Sequence, residues 1–265
     1  MTRPTGQAFD GTLLAGCYDR IYSFKDYRAE ARRLEAVTRE YLRSGGRRLL
    51  DVACGTGGHL AYLKDRFDVT GVDRSAAMLA VARRRLPGTR LHRADMAGFE
   101  LGERFDIVTC LFSSIGYVKT VRSLNRAVAT MARHLVPGGV LLVEPWFTPG
   151  AWMARSIHVQ LLVDEPGFKL VRANTSLRRG RLSWFDLHHL VCTRDRTRHL
   201  VERHELGLFT TREMKQAFRR CGLGVVFDPE GLTGRGLYIG TRSRSPRCRA
   251  LRPRERSGRE TRGVR

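Results

Sequence analysis

The stretch Leu49-Leu50-Asp51-Val52-Ala53-Cys54-Gly55-Thr56-Gly57-Gly58-His59-Leu60 constrains the fold more than any other part of this 265-residue chain. An apolar run of strand length ends in a glycine turn that feeds a helix. Glycine there permits a tight turn and lets a ligand approach the backbone closely. Through about residue 145, short apolar runs alternate with amphipathic stretches, the pattern of a parallel sheet with crossover helices. Strands are predicted at Arg48–Cys54, Asp68–Asp73, Thr89–Asp95, Phe105–Phe112 and Gly139–Glu144. One helix follows the N-cap Ser75 and carries Met78, Leu79, Ala82 and Leu86 up to the stop Pro87-Gly88. Another covers Val121 to Leu135 and stops at Pro137-Gly138-Gly139. A further helix over Tyr27 to Leu42 precedes the first strand.

Beyond Pro145 the pattern changes. Val159–Val163, Phe168–Ser176, Leu182–Cys192 and His199–Leu208 alternate or are rich in β-formers, with turn signals at Asp164-Glu165-Pro166-Gly167 and Arg178-Arg179-Gly180. They read as an antiparallel insertion at about residues 150–209. A helix from about Thr211 to Cys221, capped by Thr210 or Thr211, precedes two closing strands near Gly224–Asp228 and Gly236–Thr241. The expected fold is α/β: a doubly wound, mostly parallel seven-stranded sheet with an inserted antiparallel sheet, as one domain over residues 1–242. No internal repeat is present.

The chain is 42% hydrophobic, enough for a sizeable core without staples. Cys17, Cys54, Cys110, Cys192, Cys221 and Cys248 are scattered, with no CxxC pair and no cysteine/histidine spacing for a metal. No metal is expected, and reduced thiols point to the cytoplasm. Residues Met1–Asp10 lack a basic-then-apolar signal pattern, and no apolar run approaches the roughly 20 residues that span a bilayer, so no membrane association is expected. The net charge of +22 raises the question of nucleic acid. Its distribution argues against that partner. Residues 243–265 carry nine arginines against two glutamates and read as a basic disordered tail. The other arginines are dispersed over solvated helix faces such as Arg83-Arg84-Arg85.

Asp73 ends the second strand about 20 residues after the glycine turn, where a carboxylate can accept bonds from both hydroxyls of a ribose. A dinucleotide fingerprint, GxGxxG, requires a small residue where this chain has Leu60. S-adenosylmethionine (SAM) carries no phosphate and needs only backbone room beside its methionine and ribose parts. Asp51 precedes the glycines on the same strand end. Asp95-Met96 closes the third strand, where a carboxylate can accept an adenine amino group and a thioether can pack on the ring. The fourth strand ends in Leu111-Phe112-Ser113-Ser114-Ile115-Gly116-Tyr117 and the fifth in Glu144-Pro145-Trp146. Ligands of open α/β sheets bind beyond the carboxyl ends of strands, which puts these residues on the acceptor side. Trp146 reads equally as core, Ser113 and Ser114 as helix caps, and Glu144 as the acceptor of a backbone donor.

Together YDRIY (18–22), KDYRAEA (25–31), LLDVACGTGGHL (49–60), DM (95–96), FSSIGYVKT (112–120), VEPWF (143–147) and GRGLYIG (234–240) resemble the bacterial N,N-dimethyltransferases of dTDP-linked amino sugars, the desosamine and mycaminose enzymes of macrolide biosynthesis. The resemblance spans about Tyr18 to Thr241 and implies the class I methyltransferase form of the sheet. For SAM it implies Tyr27, Ala53, Gly55, Gly57, Asp73, Asp95, Met96 and Leu111. For the nucleotide-sugar it implies Tyr22 and Arg235, with the Arg178 guanidinium of the inserted sheet gripping the diphosphate through its planar fork, and the strand-end residues Ser114 and Trp146 join them on the acceptor side. A homodimer is also implied. The chain departs from the family in three places: only Ser23-Phe24 separates Tyr22 from Lys25, the second strand ends in Asp73 rather than glutamate, and Trp184 stands where arginine is common.

Methyl transfer from a sulfonium to an amine is an in-line displacement in which the protein chiefly aligns the partners, a contribution on the order of 7–11 kcal/mol. Tyr117, where relatives can carry histidine, and Glu144 are the candidates for aligning the acceptor; no general base is assigned. The rival readings are an O- or C-methyltransferase of another small molecule and an RNA-directed enzyme or noncatalytic nucleic-acid binder. The second predicts steeply salt-dependent RNA binding by residues before Thr241.

Overall fold

The computed structural model describes residues 12–244, so almost all of the basic segment 243–265 lies outside the described residues. Strands β1 (Arg48–Val52), β2 (Asp68–Asp73), β3 (Arg90–Arg93), β4 (Phe105–Cys110) and β5 (Leu135–Val143) run parallel. β11 (Gly224–Asp228) and β12 (Leu237–Thr241) close the sheet antiparallel, in the order β11-β12-β5-β4-β1-β2-β3. The strand order reverses between β1 and β4, and at such a switch point a crevice opens beyond the carboxyl ends.

Successive side chains on the central strands point to opposite faces, and each face is buried. Leu50, Val52, Val108 and Leu141 pack against α5 (Val121–Arg133) and α6 (Thr211–Arg220) through Leu124, Val128, Met214 and Phe218. Leu49, Ile107, Val140 and Leu142 pack on the other side with Leu34 and Val37 of α2 (Tyr27–Tyr41), Leu60 and Leu63 of α3 (Leu60–Leu63), and Leu79 of α4 (Ala76–Arg85). The helix starts follow local chemistry. Ser75 accepts from the Met78 N–H, Asp26 from Ala29 and Thr120 from Ser123, while Thr210 and Glu213 form a reciprocal capping box on α6.

Three elements differ from the sequence reading, one of them the short strand β8 (Leu177–Arg179), where Arg178-Arg179-Gly180 reads as a turn. Helix α1 (Thr12–Ile21) was not expected, since Gly16 interrupts its pattern. The Pro137-Gly138-Gly139 stretch, read as a helix stop, lies within β5: Phe105 pairs with Leu135 but Ile107 with Val140, so these residues bulge out of register.

The insertion forms a second sheet from β6 (Ile157–Glu165), β7 (Phe168–Thr175), β8 (Leu177–Arg179), β9 (Leu182–Thr193) and β10 (Thr197–Gly207), in the order β10-β9-β7-β6 with β8 on β9. The indole N–H of Trp146, just past β5, donates to Ser183 Oγ (2.9 Å), and that hydroxyl donates to the Leu206 carbonyl (3.0 Å). These bonds hold the second sheet over the end of the first. Val163, Leu170 and Val191 of its inner face bury Cys17 and Ile21 of α1. Among the described residues, no helix is long and apolar enough to cross a membrane.

Candidate functional site

A cavity of about 790 Å³ lies between the carboxyl ends of the central strands and the inner face of the second sheet. Its floor is the glycine turn. Ala53 (φ 62°) and Gly55 (φ 56°) both occupy the left-handed region, which costs a residue with a Cβ on the order of 1 kcal/mol or more. The Gly55 N–H donates to Asp73 Oδ2 and the Ser75 N–H to Oδ1, both at 2.8 Å. Each carboxylate oxygen therefore keeps lone-pair capacity for a ligand donor in the cavity that Asp73 lines. Burial pushes the Asp73 carboxyl up from the ordinary aspartate value, opposed by the N–H groups of Ser75 and Gly55. Asp95 and Met96 line the same cavity, with Asp95 Oδ1 accepting from the Ala97 N–H (2.8 Å). Behind them Asp51 is buried and accepts from the Thr109 hydroxyl (2.7 Å); burial pushes its carboxyl up to about 6.

Gly57, Tyr27 and Leu111 do not line the cavity. A Cβ on Gly57 would stand 2.6 Å from a Leu86 methyl, and one on Gly58 would stand 2.7 Å from the Tyr27 ring. These glycines admit α4 and α2 against the turn. Tyr27 packs edge-on against His59 (4.9 Å), and His59 Nε2 meets Glu30 Oε2 at 2.8 Å. Glu30 also takes the buried Lys25 ammonium. Burial raises the Glu30 carboxyl, but hydrogen bonds from His59 and Lys25 outweigh it and hold the group below its ordinary value. This internal ion cluster fixes the KDY segment to the glycine turn. Helix α1 is fixed likewise: Asp19 accepts from Thr56 Oγ1 (2.9 Å) and pairs with Arg85. Tyr18, Tyr22 and exposed Phe24 thereby overhang the cavity. The short Ser23-Phe24 linker is a tight turn, in which the Lys25 N–H donates to the Tyr22 carbonyl (3.0 Å).

The opposite wall begins where β4 ends. Phe112 (φ 50°) and Ser113 (φ 60°) are left-handed in succession before the 3₁₀ turn Ser114–Val118. Fully buried Glu144 accepts from the Phe112 N–H through Oε2 and from the Thr233 hydroxyl through Oε1, both at 2.6 Å. Glu144 does not line the cavity; it ties β4, β5 and the GRGL segment together. Ser113 Oγ donates to the Pro145 carbonyl (2.7 Å) and accepts from Arg235 (3.1 Å). The Arg235 guanidinium rests over the rings of Trp146 (5.2 Å) and Phe147 (5.3 Å), and Ser114, Trp146 and Arg235 all line the cavity. Tyr22 is hydrogen-bonded to Arg172 of β7, and Tyr117 Oη lies 2.7 Å from His204 Nδ1 of β10.

Arg178 falls outside this constellation: its guanidinium is spent on the carbonyls of Gly180 (2.8 Å) and Pro149 (2.7 Å), and it does not line the cavity. Trp184 points to the outer face of its sheet beneath Arg203 (4.7 Å), so that departure from the family pattern does not reach the cavity. The sequence reading missed Tyr18, Arg172, Phe185 and His204. Three of them follow from two-residue alternation in the second sheet, which puts Arg172 with Leu170 and His204 with Leu206 on the inner face. Among the described residues, no cluster of metal-ligating side chains is present.

Residues 49–139 match the family model described as a methyltransferase domain. The chain is 42% identical over 236 residues to a dTDP-3-amino-3,6-dideoxy-alpha-D-glucopyranose N,N-dimethyltransferase of Streptomyces fradiae, covering 86% of this chain and 90% of the relative. Its fold superposes on DesVI of Streptomyces venezuelae with a TM-score of 0.82 at 38% identity, covering 86% of this chain and 98% of that one. It also superposes on SAM-bound CalS10, an amino pentose methyltransferase from Micromonospora echinaspora involved in calicheamicin biosynthesis (TM-score 0.78, 37% identity, covering 92% and 100%).

Proposed function

The chain belongs to the SAM-dependent N,N-dimethyltransferases of dTDP-linked amino sugars, and from that premise we propose the role of each part of its cavity. It is a methyltransferase, and its acceptor is the amine of a nucleotide-linked deoxyamino sugar made for an antibiotic or related secondary metabolite. SAM, when bound, supplies a methyl group already activated on a sulfonium. The residues present fit it: the open backbone at Ala53 and Gly55, the carboxylate of Asp73 with spare acceptor capacity for a ribose diol, and Asp95 with Met96 for adenine. Tyr27 and Gly57 support this half from behind the glycine turn, and Leu111 does so from the core.

Arg235 carries the acceptor reading. It shares the cavity with Asp73, rests over two aromatic rings and is steadied by Ser113, so its fork is positioned before a phosphate arrives. Tyr22 with Arg172 and Ser114 with Trp146 complete the acceptor side. Replacing Arg235 with alanine removes one or two hydrogen bonds to a charged group at about 1.5–3 kcal/mol each, so KM for the nucleotide-sugar should rise roughly 10- to 100-fold or more. KM for SAM should stay near the wild-type value. Equal effects on both would remove Arg235 from the acceptor site.

A homodimer is supported by Ile157, Val159 and Leu161, an exposed apolar row on the β6 face that alternates with the cavity-lining His158 and Gln160. Free thiols at all five described cysteines suit the cytoplasm.

A further inference from the structure

We propose that Tyr117, His204 and Glu202 form a proton relay that strips the acceptor's ammonium group, with His204 as the proton store. This rests on the amino-acceptor reading above. An amine attacks only through a free lone pair, and alkylamines are largely protonated near neutral pH. A group beside the acceptor that takes a proton before each methyl transfer therefore raises the rate near neutral pH.

The carboxylates near the cavity serve elsewhere. Asp73 and Asp95 belong to the SAM half, and Glu144 is buried behind the wall with both oxygens used. Two histidines line the cavity; His158 is exposed, whereas His204 is 3% exposed. The His204 ring is stacked on Phe185 (5.3 Å, 5° between planes), which fixes its orientation. Its Nδ1 meets Tyr117 Oη at 2.7 Å and its Nε2 lies 3.8 Å from Glu202 Oε2. With hydrogen on Nε2, Nδ1 accepts from the phenol, and Glu202 faces the side where positive charge would develop. This is a base held by an aromatic stack, with a carboxylate close enough to favour its charged form.

Tyr117 lines the cavity beside the imidazole, with its hydroxyl on Nδ1. Burial pushes its phenol well above the ordinary tyrosine range, so it transmits a proton without standing as a phenolate. The transfer is balanced and redox-neutral. An ammonium N–H bond breaks as an O–H bond forms on Tyr117, while the original phenol O–H breaks and an N–H bond forms on His204 Nδ1. One positive charge moves from substrate to imidazole, and the proton is lost to water before the next cycle.

The other groups around His204 leave it this role. On β9, His189 lies 3.7 Å from Glu202, but burial pushes its imidazole down to about 4, so it stays neutral. Asp186, also on β9, is held by both ends of the Arg203 guanidinium (2.7 and 2.6 Å). His188 of that strand pairs with His199 (3.0 Å), and Arg172 of β7 bonds Tyr22.

The test is the pH profile of kcat for methylation of a dTDP-amino sugar by the wild-type protein, His204→Gln and Tyr117→Phe. SAM affinity by calorimetry serves as the check on folding. Both variants should bind SAM normally, lose roughly 10- to 100-fold in kcat near pH 7 and recover most of that loss at alkaline pH, where the amine deprotonates unaided. A profile parallel to wild type in a SAM-binding variant overturns the relay. If His204→Gln fails to bind SAM, the Tyr117→Phe profile decides. Absence of wild-type turnover on any amino-sugar nucleotide overturns the acceptor reading and the relay with it.

Discussion

Replacing Glu144 separates a structural carboxylate from a chemical one. The side chain is 0% exposed, and its two oxygens hold the Phe112 N–H and the Thr233 hydroxyl at 2.6 Å each. Glutamine can keep both partners: its oxygen takes the Phe112 N–H and its amide donates to the Thr233 oxygen. The loss is the charge-assisted part of two bonds, about 1–2 kcal/mol, offset in part by removing a buried charge. Alanine instead orphans two polar groups at about 1–3 kcal/mol each and leaves a void, so about 3–6 kcal/mol is expected. That is a large share of a typical 5–15 kcal/mol stability. Phe112 and Ser113, left-handed at the end of β4, would lose the anchor that holds them there. Guanidinium denaturation and kcat at saturating substrates should show Glu144→Gln near wild type in both, and Glu144→Ala poorly stable. A stable Glu144→Gln protein with turnover reduced on the order of a hundredfold would show that the carboxylate acts on the acceptor, and would refute this assignment.

Asp73→Ala removes two acceptors for the ribose at about 1.5–3 kcal/mol each, so SAM affinity by calorimetry should fall roughly 10²- to 10⁴-fold; unchanged affinity would take Asp73 out of the site. Asp51, pushed up to about 6 by burial, is an acid whose folded form resists ionisation. Stability should therefore fall as pH rises from the unfolded aspartate value through about 6 and stay level above it, at a cost of about 3 kcal/mol. Asp51→Asn, which can still accept from Thr109, should flatten that slope and melt higher at pH 8 than wild type; an unchanged slope by calorimetric melting would contradict it.

The central sheet was legible because strands buried on both faces read as continuous apolar runs, and because Ser75 and Thr210 announce their helices by capping chemistry. The cofactor half was legible for the same reason: Asp73 and Asp95 sit at strand ends, where topology alone sets their place. The acceptor half was less so. Arg178 and Arg172 are both arginines of the second sheet, yet only Arg172 lines the cavity, because β8 lies on β9 at the margin and its arginine bonds the carbonyls of Gly180 and Pro149. Glu144 and Tyr27 occupy motif positions but face protein partners, and spacing along the chain does not record which way a side chain turns. The pairing of Tyr117 with His204 joins residues 87 apart and depends on how the second sheet docks.

The most direct test is to incubate the protein with SAM and a panel of dTDP-linked amino sugars carrying the amine at different ring positions, and to read the products by mass spectrometry and NMR. One or two methyl groups should be added at the amine nitrogen of at least one sugar, with matching consumption of SAM. Methyl groups found on oxygen or carbon, or no product from any amino-sugar nucleotide while SAM still binds, would contradict the amino-acceptor reading.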